Sequence, residues 1–161
     1  MWPFKKPKIS DSDMEFVRTC MRQTAECASL VNTTANAQVF FGRLHFLLDL
    51  LLEMQKYEKY GIFQNSVPSA DYKKVINNME KTVNAFIDRA LDANARNVMK
   101  YKTQAARDRN TTKFILELSH GFDIAGSFWA GNPMIAHYTG PLYTPKNRER
   151  IDELVRNLPA Q

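Results

Sequence analysis

Apolar positions recur with helical spacing through residues 39–60, VFFGRLHFLLDLLLEMQKYEKY. Phe40, Leu44, Leu47, Leu51 and Met54 form a stripe stepping by four, three, four and three. Phe41, Leu48 and Leu52 widen it on one side, and Leu50, Phe46 and Tyr57 on the other. The polar remainder is one narrow strip of Gly42, His45, Asp49, Glu53 and Lys56. An apolar arc covering well over half the circumference belongs to a helix packed on several sides. This segment is therefore expected to be the central member of a bundle.

The flanking segments supply its neighbours. Ser12 and Glu15 have capping-box spacing, which predicts a first helix from about Asp13 with Phe16, Val17, Cys20, Thr24, Cys27, Ala28 and Val31 inward. Asn32, Thr33 and Thr34 are poor helix formers, so a break is expected near 32–36, with Thr34 or Asn36 capping the central helix. Gly61 closes that helix and Ser69 opens a third, whose inward stripe is Tyr72, Ile76, Met79, Val83, Phe86, Ile87 and Ala90. Past Ala90 the stripe weakens, because Asn94 and Asn97 take its phases. A helix spanning 70–109 would be about 60 Å long. The radius of gyration of a globule this size is only about 15 Å. The segment therefore either breaks around Thr103–Asn110 or projects from the bundle.

Asn110 or Thr111 then caps a short helix through Phe114, Ile115 and Leu118, which Gly121 stops. The next stretch, FDIAGSFWAGNPMIAHYTGPLYT, carries three glycines and two prolines and reads as a long aromatic loop packed over the bundle. Thr144 as N-cap with Pro145 behind it opens a last short helix, with Ile151, Leu154, Val155 and Leu158 inward. The pattern predicts an all-α fold. It is an antiparallel helical bundle of three to four main helices, with a long aromatic loop and a short C-terminal helix. Residues 1–11 read as a mobile arm and 12–161 as a single helical domain.

Composition agrees with this reading: 44% apolar and 24% charged residues with a mean hydropathy of −0.42. The longest apolar run, Phe46 to Leu52, is interrupted by Asp49 and falls far short of the roughly 18 residues a membrane span needs. A cytoplasmic protein is expected. Cys20 and Cys27, seven residues apart on one helix, would be separated by about 10.5 Å of rise, too far for a disulfide. They read as small core residues. The net charge of +5 is unevenly placed, with seven Lys or Arg between 89 and 113 against Asp92 and Asp108.

Three sets of residues are candidates for function. Arg89, Arg96, Lys100 and Arg107 lie within about 20° of one line on a continuous helix, a basic ridge suited to nucleic acid or another polyanion. Phe122, Phe128, Trp129, Tyr138 and Tyr143 crowd into the aromatic loop, which must be buried or bound. His120, Asp123 and His137 bracket that loop and would suit a metal-dependent or hydrolytic enzyme if they converged. His45, Asp49 and Glu53 form a row on the central helix, but one helix alone seldom builds a metal site, and a solvated strip is the simpler reading. No phosphate-cradling loop, dinucleotide fingerprint or nucleophile elbow occurs, so no catalytic residue, metal or cofactor is assigned. The favoured function is a non-enzymatic interaction module that binds a protein partner or itself. Polyanion binding through the ridge is the alternative, and the His120/Asp123/His137 enzyme comes third.

The segments LVNTTANAQVFFGRLHFLLDLLLEMQKYEKYGIF and INNMEKTVNAFIDRA also carry a likeness. With their L-V-N-T-T, F-F-x-R, leucine-rich helix and N-x-F-I-x-R in that order, residues 12–107 resemble a group of helical proteins from Gram-positive bacteria and their phages. The resemblance implies a helical module used alone or beside other domains, and it brings no activity with it. Residues 121–161 fall outside the pattern.

Overall fold

In a computed structural model of the protein, which describes residues 8–60, 78–131 and 144–159, Ser10 opens the first helix, α1 (Asp11–Thr33). Its hydroxyl accepts from the Asp13 N–H at 3.2 Å, and Asp11 and Asp13 sit at the positive end of the helix dipole. The helix thus starts two residues before the predicted Ser12–Glu15 box, and Glu15 instead lies 3.9 Å from Arg18. The buried face is Val17, Cys20, Thr24, Cys27, Ala28 and Val31, as the periodicity predicts. Phe16 differs: it is largely exposed and meets Tyr57 at 5.9 Å.

The break falls at 34–36, where the Asn36 side-chain oxygen accepts from the Val39 N–H and starts α2 (Ala37–Gln55). A three-residue connection forces α1 and α2 into an antiparallel hairpin. Phe16 near the start of α1 meets Tyr57 beyond the end of α2, while Cys27, farther along, lies by Arg43 near the start of α2. Phe40, Leu44, Leu47, Leu48 and Leu50 of α2 are buried, and a 3₁₀ turn follows at Glu58–Tyr60. The predicted Gly61 terminus, the Ser69 cap, Tyr72 and Ile76 lie outside the described residues, as do residues 1–7.

Helix α3 (Met79–Asn97) buries Met79, Val83, Phe86, Ile87 and Ala90 and ends in a 3₁₀ turn at Val98–Lys100. The chain bends over residues 101–103, and the Thr103 hydroxyl accepts from the Ala106 N–H to cap α4 (Gln104–Ala130). The long helix therefore breaks, at the early edge of the predicted interval. Asn94, which interrupted the apolar stripe, donates to the Thr111 hydroxyl on α4 at 3.3 Å. Farther from the bend Phe86 lies beside Phe122, so α3 and α4 form a second antiparallel pair.

Helix α4 overturns one expectation. It does not start at Asn110, whose side chain donates to the Ala106 carbonyl inside the helix, and it does not stop at Gly121. It runs on to Ala130, so Phe122, Phe128 and Trp129 belong to a helix rather than a loop. Gly121 serves close approach. An added Cβ would lie 2.5 Å from Cε2 of the Phe41 ring, so the glycine lets α2 lay that ring against α4. Tyr138 and Tyr143 of the expected loop lie outside the described residues.

Thr144 caps α5 (Pro145–Arg156) with Pro145 in its first turn, as expected. Ile151 is buried, while Leu154, Val155 and Leu158 are half-buried. Asn147, also buried, donates to the Glu80 carbonyl at 3.1 Å, and Arg150 bonds Asn84 and Asp88. These pairs advance together along both chains, so α5 runs parallel to α3.

Where α2, α3 and α4 meet, four phenylalanines form the centre of the core. Phe40 and Phe86 stack at 3.9 Å with planes 7° apart, and Phe41 stands edge-on to Phe122 at 4.8 Å. The described residues form an all-α bundle around α2, in keeping with the sequence pattern. No helix among them is long and apolar enough to cross a membrane.

Candidate functional site

Helices α2 and α4 run parallel, since Phe41 lies by Gly121 and His45 by Phe128. They diverge enough to leave an apolar groove of about 490 Å³ between them. Phe41, Leu44, Leu48, Ala125 and Trp129 form its floor. Gln38 and His45 edge the α2 wall, and Glu117, His120 and Ile124 the α4 wall. The volume and the ratio of apolar floor to polar rim are those of binding clefts between bundle helices.

Each wall carries polarity at a different end. Glu117 stands level with Ala37 and Gln38 at one end. At the other, His45 Nε2 lies 3.5 Å from Asp49 Oδ2, and its ring centroid is 4.2 Å from that of Phe128. Ile124 is 59% exposed on the α4 wall, one helical turn from His120, and Leu116 is 48% exposed one turn the other way. An isoleucine left this open on the wall of an apolar cleft extends the apolar surface beyond the cleft itself, while Leu116 lines a separate hollow with Arg109 and Lys113.

The residues singled out from sequence are divided by this arrangement. Phe122 is fully buried in the aromatic core, Trp129 lies at the groove floor, and Phe128 is half-buried on its wall. His120 and Asp123 are exposed on α4, while His137 lies outside the described residues. Among the described residues no three His, Cys, Asp or Glu side chains gather as a metal site. The His45–Asp49–Glu53 row splits, with Glu53 pairing Lys56 at 2.9 Å.

The basic ridge is split by the bend after α3. Arg89 turns inward, donating Nε to the Thr34 carbonyl at 2.8 Å and Nη2 to the Val31 carbonyl at 2.9 Å, where it caps the C-terminus of α1. Burial pushes its guanidinium below the ordinary value, while Asp88 acts the other way. Arg107 lies on a different helix and donates to the Tyr101 carbonyl at 2.9 Å. Arg96 and Lys100 remain exposed.

The groove itself escaped the sequence pattern, although eight of its lining residues had been noticed for other reasons. The signal was present in α4: Leu118, Phe122, Ala125 and Trp129 step by four, three and four, which is helical spacing through both glycines.

No known protein family, curated protein or solved structure matches the chain. Within this chain, the short motifs that carry the resemblance noted above meet in space. Arg89 of N-A-F-I-D-R bonds the carbonyls of Val31 and Thr34 in L-V-N-T-T, and Phe86 of the same motif stacks on Phe40 of F-F-G-R. Their spacing is accounted for by how α1, α2 and α3 lock together, and none of these contacts is chemistry.

Proposed function

We propose that the protein is a non-enzymatic interaction module, and that its α2/α4 groove receives an amphipathic helix from a protein partner. The observation that carries this reading is the apolar floor of the groove together with the exposed side chain of Ile124 on its α4 wall. Two helices side by side offer the seat a third helix takes when it lays an apolar stripe into a groove. Glu117 on one wall and Asp49 near the opposite end of the other select a helix whose stripe is flanked by Lys or Arg. A cytoplasmic setting, where Cys20 and Cys27 stay reduced, belongs to the same proposal.

The test is anisotropy titration of a fluorescent 14-residue Leu/Lys helix, with leucines at helical spacing, against the protein and its Ile124→Lys variant. Ile124 is exposed enough for the change to leave the fold intact. Binding that weakens about tenfold or more in the variant supports the reading. No binding to the parent protein overturns it. Concentration-dependent dimerisation that Ile124→Lys abolishes would replace the helical partner with a second copy of the chain.

A further inference from the structure

The bend between α3 and α4 concentrates the protein's charge. Residues 94–113 contain six Lys or Arg and one acid, Asp108, so the whole formal net charge of +5 resides there. The other 141 residues balance at sixteen charges of each sign. In sequence this excess is spread over twenty residues. In the fold, the hydrogen bonds from Asn94 to Thr111 and from Arg107 to Tyr101 bring the two arms side by side and gather it at one corner of the bundle.

Arg96, Lys100, Lys102, Arg109 and Lys113 are all exposed at this corner. None of them takes part in the ion pairs formed among the described residues, and the i,i+4 pair that Asp92 could make with Arg96 is not formed. The one acid within the segment, Asp108, accepts from the Gln104 side chain. Arg96 and Lys100 also complement the negative end of the α3 dipole. Lys102, Arg109 and Lys113 have no such internal role.

We infer that this corner is a second interaction surface, independent of the groove, and that it binds the phosphate backbone of nucleic acid without reading sequence. Charge chemistry favours that partner over the others. A protein interface carries an apolar centre, and the large apolar side chains exposed here are only Met99 at the turn and Leu116 beside Arg109 and Lys113. Two separate apolar side chains are also too little to hold the corner in a bilayer. Clustered cations without an apolar centre or a base-reading element match backbone contact driven by counterion release. The ridge read from sequence thus gives way to a corner in which Arg89 and Arg107 are tied to the fold while Lys102, Arg109 and Lys113 join Arg96 and Lys100.

The test uses a fluorescent 20-base-pair duplex of arbitrary sequence, titrated at several salt concentrations. Contact with about four phosphates gives a log–log salt slope of about −3.6. Lys102→Glu with Arg109→Glu should weaken binding about tenfold or more, whereas Lys81→Glu with Lys146→Glu, an equal change of net charge on exposed positions elsewhere, should weaken it far less. If the reversed variant unfolds by circular dichroism, Lys102→Gln with Arg109→Gln takes its place. Absence of duplex binding, a flat salt dependence or equal losses in both charge variants would overturn the inference. Binding to phosphatidylserine vesicles in preference to the duplex would also overturn it, in favour of a membrane surface. Ile124→Lys should leave duplex binding unchanged, so this surface and the groove fail or succeed separately.

Discussion

The Phe41 ring lies over the backbone of Gly121, so close that a Cβ added there would come within 2.5 Å of Cε2 and 3.0 Å of Cδ2. This contact fixes how nearly α2 and α4 approach and sets one end of the groove floor. Gly42, the neighbour of Phe41, has nothing within 4 Å of its missing Cβ and sits inside α2.

The two glycines should therefore respond oppositely to alanine. Gly42→Ala gains helix propensity without a clash and should stabilise the protein by about 1 kcal/mol. Gly121→Ala gains the same propensity but displaces the Phe41 ring, at a cost of about 1–3 kcal/mol, and should destabilise on balance by about 1 kcal/mol. Urea denaturation of the two variants measures the difference. Equal stabilisation by both would mean that α2 and α4 do not touch at this point.

The same contact explains what the sequence did and did not disclose. Faces of α1, α2 and α3 were legible because their apolar spacing is regular and only Gly42 interrupts them. Gly121 and Gly126, followed by prolines, looked like punctuation and hid the spacing from Leu118 to Trp129. Packing outweighed propensity there, and the partner that demands Gly121 lies eighty residues away on Phe41. The groove was illegible for the same reason: it depends on which face of α4 meets α2, and no local pattern records that.

Arg89 likewise shows how a residue on a suggestive line can be spoken for by the fold. Its two bonds to Val31 and Thr34 carbonyls tie α3 to the end of α1 across 55 and 58 residues of sequence. Arg89→Ala should destabilise the protein by about 2 kcal/mol through the loss of two charge-assisted bonds. Lysine offers a point charge in place of the planar fork, so Arg89→Lys should restore less than half of that loss. Chemical denaturation of both variants checks this, and a loss below about 0.5 kcal/mol in Arg89→Ala would contradict the capping role.

Cys20 and Cys27 are both buried, and desolvation pushes both thiols above their ordinary 9.0, with Glu53 adding to the rise at Cys20. Arg43 opposes it at Cys27 without cancelling it. A raised folded-state pKa means the folded protein holds its thiol protons more tightly than the unfolded chain. That contribution is complete below pH 9 and is lost as pH rises above it. Stability should fall above pH 9 more steeply in the parent protein than in Cys20→Ala/Cys27→Ala, as urea midpoints between pH 7 and 10 would show. Parallel curves would mean that the thiols titrate normally in the folded state.

Whether the α2/α4 groove receives an amphipathic helix is read from backbone amide NMR during titration with the Leu/Lys peptide. Shifts should concentrate on residues 37–48 of α2 and 117–129 of α4, with α1 and α5 little changed. Saturable binding whose shifts instead fall on α1, α5 or the α3/α4 bend, leaving the groove unchanged, would contradict docking in the groove.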